Sequence, residues 1–146
     1  MKIEVSCVQM KPTLKDVKTN LEKMAEFIEQ IMKKQSSTDL IVFPELITSG
    51  YECEDEFYNL AETVQDGLSI KVIGELAKKY NTNIIYGFPE RDSNKSNVIY
   101  NSSVFIDNNG EAIGTYRKVH LFDTEKKYFT PGLEFPVFDT SFGKIG

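Results

Sequence analysis

The sequence is poor in the residues that would make its chemistry easy to guess. Two cysteines, Cys7 and Cys53, and a single histidine, His120, occur in 146 residues. That is too few for a zinc site of Cys/His type, and no Cys-x-x-Cys pair is present. The count allows a Cys7–Cys53 disulfide, but the reducing setting suggested below disfavours it. No stretch approaches the roughly 18 apolar residues of a membrane span. Net charge is −5 and the lysines are dispersed. Lys33-Lys34, Lys78-Lys79 and Lys126-Lys127 are isolated pairs near expected helix ends, where they suit the helix dipole. With no basic stripe, nucleic acid is not an expected partner. Neither a Gly-x-Gly-x-x-Gly nor a phosphate-loop motif occurs, which sets aside a generic nucleotide-binding domain. The first residues form a strand-like run rather than a secretory signal, so a cytoplasmic location is expected.

What is present reads as one globular domain. The length suits a single unit, and 40% apolar with 27% charged residues is ordinary for a water-soluble chain. A β-rich run over 2–10 reads as a strand. Thr13-Leu14-Lys15-Asp16 fits a capping box. Val17, Leu21, Met24, Ile28 and Ile31 then make one stripe of a helix that closes at Ser36-Ser37-Thr38. The apolar run 39–43 suits a buried parallel strand, ended by Pro44. A short helix over 54–64 and a better one over 69–80 follow, then a strand over 83–88 and a polar loop over 92–97. Strands over 98–107 and 111–116 meet across Asn108-Asn109-Gly110, a hairpin signal. A helical turn over 124–129 and strands over 137–140 and from 144 complete the pattern. The order predicts an α/β fold whose sheet is parallel at first and antiparallel later, hence mixed.

Several residues are candidates for chemistry. Glu45 follows the carboxyl end of an apolar strand, where ligands of open α/β sheets bind. Partial desolvation there would bring a carboxylate toward the range of a general base; a solvated loop acid is the plainer alternative. Lys118, past another strand, could stabilise an oxyanion, although Arg117 is equal to it on charge and a surface lysine is the commoner case. Glu125 by itself reads as a solvated acid in a helical turn. His120 alternates with Val119 and Leu121, which favours a hydrogen-bonded structural histidine over a base. Acidic neighbours should raise the Cys53 thiol pKa and make it a poor nucleophile. Cys7 reads as a small buried hydrophobe.

In order along the chain stand Val8-Gln9-Met10, Asp39-Leu40-Ile41-Val42-Phe43-Pro44-Glu45-Leu46 with Gly50-Tyr51, and Tyr86-Gly87-Phe88-Pro89-Glu90. They are followed by Tyr100-Asn101-Ser102-Ser103, Gly114-Thr115-Tyr116-Arg117-Lys118-Val119-His120-Leu121-Phe122, Glu125 with Tyr128-Phe129-Thr130-Pro131-Gly132, and Phe142-Gly143-Lys144-Ile145-Gly146. This ordered set resembles the nitrilase (carbon–nitrogen hydrolase) superfamily. The resemblance implies the N-terminal half of a four-layer α-β-β-α sandwich with a mixed sheet. It implies Glu45 as general base, Lys118 as oxyanion stabiliser, Glu125 as a second glutamate that orients substrate or the lysine, and Tyr51 in the substrate pocket. The implied reaction is hydrolysis of a small-molecule amide, nitrile or carbamoyl substrate through a cysteine thioester, with no metal or organic cofactor. A homo-oligomer is the implied assembly. Neither Cys7 nor Cys53 matches the family's nucleophile, whose segment would begin at Gly143-Lys144-Ile145-Gly146. Residues 1–146 are therefore expected to form a partial domain, ending before that cysteine and inactive alone, with an apolar sheet face left open. A non-catalytic binding or assembly module derived from the same family is the alternative.

Overall fold

The computed structural model describes residues 2–146. Five strands form one sheet: β1 (Val5–Cys7), β2 (Leu40–Val42), β3 (Asn83–Arg91), β4 (Ile99–Ile106) and β5 (Ala112–Arg117), paired in that order. β1, β2 and β3 run parallel, whereas β3, β4 and β5 are antiparallel. Helix α1 (Val17–Lys34) connects β1 to β2. A 3-10 turn (Glu54–Glu56), α2 (Phe57–Leu60) and α3 (Leu68–Tyr80) connect β2 to β3. A second 3-10 turn (Asp123–Lys127) and a small antiparallel pair, β6 (Phe138–Thr140) and β7 (Gly143–Ile145), follow β5. The mixed α/β sheet is the expected one.

α1 and α3 cover one face of the sheet. Met24, Ile28, Ile73 and Ala77 pack on Ile41, Ile84, Tyr86, Phe88, Val104 and Ile106 in a single cluster. Along α1 the buried residues are Asn20, Leu21, Met24, Ile28 and Met32. Met32, four residues past Ile28, takes the inward place expected for Ile31, which lies half-buried beside it.

The start of α1 differs from the capping box read at Thr13. Lys15 adopts φ +62, which turns the chain before the helix. Asp16 is then the N-cap, its carboxylate accepting from Thr19 N at 3.0 Å and Thr19 Oγ1 at 2.8 Å. Thr13 instead joins the fully buried Asn20. Asn20 accepts from Thr13 N at 2.6 Å and donates to the carbonyls of Thr13 and Thr48 at 2.7 and 2.9 Å. Asn20 thus stitches the helix start to the loop that follows β2.

Two strands differ in length from expectation. β1 spans three residues, because only Val5, Ser6 and Cys7 face partners in β2. β3 continues to Arg91, because β4 pairs with it up to Arg91 opposite Ile99. Pro89 is tolerated inside it. Gly87 N and Arg91 N point away from β4, to Pro44 O and Glu62 O. Pro89 shares their orientation, so its missing N–H removes no bond to β4.

The other face of the sheet is only partly covered. Val5 is 44% exposed, and Cys7 is exposed on the edge strand rather than buried as expected. Farther along, β6, β7 and the segment before them lie over the sheet. There Ile85, Phe105, Tyr116, Phe135, Val137 and Ile145 line an apolar cavity of about 540 Å³. Both cysteines are free thiols.

Candidate active site

Glu45 stands on the turn after β2. Leu46 takes φ +46, and Leu46 and Ile47 are fully buried, so the turn is pinned beside the sheet. Its close approach depends on Gly87 in β3, which donates N–H to Pro44 O at 3.2 Å. A Cβ at Gly87 would sit 2.5 Å from Leu46 N and 2.7 Å from Glu45 Cα, so no larger residue fits without moving the turn.

Lys118 is the first residue past β5. Its N–H donates to Asn101 O at 2.8 Å, and its carbonyl accepts from Gly132 N at 2.9 Å. Glu125 lies in the second 3-10 turn. Its Oε2 accepts from Phe122 N at 2.7 Å, which locks the carboxylate across the start of the turn.

These elements bring the predicted residues together. Lys118 Nζ lies 2.8 Å from Glu45 Oε1 and 2.9 Å from Glu125 Oε1. The Tyr51 hydroxyl donates to Glu125 Oε1 at 2.8 Å. Asn101 Nδ2 donates to Glu45 Oε1 at 2.7 Å and to Glu125 Oε1 at 3.3 Å. The side chain of Glu125 is 3% exposed, that of Lys118 28% and that of Glu45 47%. The cluster therefore opens to solvent on the Glu45 side. The Tyr51 ring also borders a cavity of about 450 Å³, whose lining includes Leu46, Phe57, Glu125 and Phe129.

Electrostatics set the protonation states. Burial pushes the Glu125 carboxyl up, but the Lys118 ammonium, the Phe122 N–H and the Tyr51 hydroxyl outweigh it and leave its pKa below the ordinary value. Partial burial pulls Lys118 down, but the two glutamates more than offset it, so its pKa ends above the ordinary lysine value. Burial and then Glu125 push the Tyr51 phenol up to about 12. At neutral pH Glu125 is a carboxylate, Lys118 an ammonium and Tyr51 a neutral phenol. Glu125 accepts from four donors, three on Oε1 and one on Oε2. Glu45 accepts twice on Oε1, while its Oε2 takes no hydrogen bond from any described residue. Lys118 spends two of its three N–H donors on the glutamates.

The remaining candidates fall outside the cluster. Arg117 turns to the other face of β5. It pairs with buried Glu90 through Nη2 at 2.5 Å and Nε at 3.1 Å, and stacks on the Tyr100 ring at 3.8 Å. His120 is exposed and makes no hydrogen bond among the described residues, so it is not the hydrogen-bonded structural histidine expected. Its place past the end of β5 is the reason. Cys53 is fully buried and donates to Ser49 O at 3.2 Å and Gly50 O at 3.4 Å. Burial, more than the nearby acids, pushes its thiol up. Neither cysteine is hydrogen-bonded to Glu45 or Lys118. Asn101 joined the cluster without any role having been read for it. Its signal was an amide side chain inside a strand, a position that demands partners.

Comparison with known proteins identifies the family. The sequence pattern of the carbon–nitrogen hydrolase family matches residues 4–146. The chain belongs to the carbon–nitrogen hydrolase family. It is 55% identical over its whole length to a probable nitrilase of Schizosaccharomyces pombe, 54% of which it covers. It is 35% identical to an omega-amidase of Saccharomyces cerevisiae, with 99% of this chain and 54% of that protein aligned. The crystal structure of Saccharomyces cerevisiae Nit3, a nitrilase-superfamily member, superposes with a TM-score of 0.87 at 34% identity, over 97% of this chain and 53% of that one. The chain thus spans about half the length of the curated relatives it matches, and its sheet and helices correspond to the N-terminal half of a nitrilase-superfamily domain.

Proposed function

We propose that this chain supplies the base, the oxyanion donor and a positioning glutamate for hydrolysis of non-peptide carbon–nitrogen bonds. The observation that carries the proposal is the unused capacity of the cluster: Glu45 Oε2 has no partner and Lys118 has one N–H to spare, both beside a solvent-facing opening. The nucleophile is a cysteine thiol in a segment beyond residues 1–146, which form part of a larger catalytic domain. In the reaction, Glu45 Oε2 takes the thiol proton as sulfur attacks the carbon of an amide, nitrile or carbamoyl group. For an amide or carbamoyl group, the developing oxyanion accepts the third N–H of Lys118. For an amide or carbamoyl group, Glu45 passes its proton to the leaving amine as the carbon–nitrogen bond breaks; for a nitrile, the proton goes to the nitrogen of a thioimidate, which one water converts to the thioester with release of ammonia. Glu45 then draws a proton from the water that attacks the thioester carbon and delivers it to the departing sulfur, which regenerates the thiol. Glu125, held by its four donors, keeps Lys118 charged and aimed. Tyr51 holds Glu125 through its hydroxyl and offers its ring to the substrate.

By itself the chain is expected to be inactive, and a homo-oligomer in a cytoplasmic, reducing setting fits its two free thiols. No observation favours the alternative of a purely non-catalytic module, for which the unpartnered Glu45 oxygen would have no use. The decisive experiment is to assay the complete protein on a panel of aliphatic amides, nitriles and N-carbamoyl compounds, wild type beside Glu45→Gln. Thiol-dependent hydrolysis that falls roughly 10²–10⁴-fold in the variant is expected. Hydrolysis that survives the substitution would overturn the assignment of Glu45.

A further inference from the structure

We propose that Asn101 is a positioning residue that holds the Glu45 carboxylate in line with Lys118, and that without its amide Glu45 turns out to solvent. The inference rests on the reading of Glu45 as the base, but the geometry behind it is independent of turnover.

The two glutamates of the cluster are held very differently. Glu125 is buried, and a backbone N–H, a phenol, an ammonium and an amide all donate to it. Glu45 is half exposed and has two donors, Lys118 Nζ and Asn101 Nδ2, on the same oxygen. An ion pair open to solvent returns about as much as it costs to immobilise two long side chains. Lys118 is also shared with Glu125, so it is a movable partner. Asn101 is the rigid one. It is 4% exposed, sits in β4 opposite Pro89, and through its carbonyl holds the Lys118 main chain.

Its side-chain type fits the task. A primary amide offers two N–H donors, and two carboxylate oxygens lie within reach, at 2.7 and 3.3 Å. Charge decides that nitrogen rather than oxygen faces them, because an oxygen there would be a third acceptor against two anions. Aspartate has the same shape, but would add a third carboxylate to a cluster with one ammonium. Leucine has a similar volume and donates nothing. One residue thus fixes the base through its side chain and the oxyanion donor through its backbone.

The test uses Asn101→Leu and Asn101→Asp in the complete protein, with crystal structures of both. Carboxyl-carbon NMR signals of Glu45 and Glu125 would be assigned through Glu45→Gln and Glu125→Gln. In both Asn101 variants the Glu45 Oε1 to Lys118 Nζ separation is expected to open beyond about 4 Å. The Glu45 signal should move to that of a solvated glutamate while that of Glu125 stays. Where turnover is measured, kcat should fall roughly 10²-fold with KM little changed, as for a displaced catalytic group. If Asn101 only filled space, the Leu variant, of similar volume and without charge, would leave Glu45 within about 3.2 Å of Lys118, and that result overturns the proposal. Should the Leu variant fail to fold, Asn101→Ala, which also removes the amide without adding charge, carries the same reading. Glu45 displaced with hydrolysis undiminished would uphold the positioning role and sink Glu45 as the base, so the two failures are distinct.

Discussion

Arg117 and Lys118 are neighbours at the end of β5, and each meets a buried glutamate, yet the two clusters they form are different in kind. On the helix-covered face, Glu90 is filled. Arg117 donates to both its oxygens, Ser102 Oγ donates to Oε2 at 2.6 Å, and the guanidinium is itself capped by the Tyr100 ring. Neither oxygen of Glu90 is left without a partner, although Arg117, whose side chain is 37% exposed, keeps its Nη1 donors free of any described residue. On the other face, Glu125 is filled in the same way, but Glu45 and Lys118 keep an oxygen and an N–H in reserve. Both clusters contain a buried charge paired with a cation, and burial alone would rank Glu90 at 2% with Glu125 at 3%. A carboxylate oxygen without a partner beside solvent, Glu45 Oε2, is what separates the chemical cluster from the structural one.

Crossed substitutions should pull the two apart. Glu45→Gln in the complete protein is expected to remove nearly all hydrolysis while leaving Tm almost unchanged, because the side chain is half exposed. Glu90→Gln should do the reverse. It leaves Arg117, whose side chain is 37% exposed, facing a neutral amide at the buried Glu90 position, at a cost of about 2 kcal/mol for the weakened charged hydrogen bonds, or roughly 4–8 °C in Tm, while the folded fraction keeps most of its turnover. Thermal melts and kcat measured on both variants would check this. A Glu90→Gln protein of unchanged Tm would erase the distinction.

The sequence made one of these clusters legible and hid the other. The ordered motifs named Glu45, Lys118 and Glu125, and the structure puts both glutamates on the Lys118 ammonium. Spacing alone could not have done so, since the glutamates are 80 residues apart in number and reach the same nitrogen only because β2 and β5 end on the same side of the sheet. Strand order followed from the apolar runs and the Asn-Asn-Gly turn. Ends were less legible. Where α1 starts depends on a left-handed Lys15, and how far β3 runs depends on a partner strand downstream. The choice between Arg117 and Lys118 was invisible on charge. It is fixed by the alternation of β5, which sends one residue to Glu90 and leaves the next past the strand end.

A smaller effect is expected from pH. Glu125 has a folded pKa below its ordinary value of 4.5, so it contributes stability that is present above that value and lost as pH falls through the folded one. A Glu125→Gln protein lacks this contribution at every pH. Its Tm deficit relative to wild type should therefore be widest near neutrality and shrink steadily below about pH 4.5. Lys118 behaves in the opposite sense. Its raised pKa means that its contribution is complete below its ordinary value of 10.5 and fades only as pH rises above that. Melts from pH 3 upward would check the acid limb, and a deficit that widens on acidification would show that Glu125 is protonated in the folded protein.

The smallest effect belongs to Tyr51. Its hydroxyl is one of several donors to Glu125, and the Phe122 N–H and Lys118 remain when it is removed. Tyr51→Phe should cost about 1 kcal/mol of stability and reduce kcat modestly, because Glu125 still aims Lys118. The phenol offers a further check. With its pKa pushed to about 12, Tyr51 should stay neutral through the range in which ordinary tyrosines ionise near 10. Ultraviolet titration of wild type against Tyr51→Phe should then give a difference that grows in only near pH 12. An ionisation near 10 would mean that Tyr51 is free of Glu125, and that its ring and hydroxyl are both available to substrate.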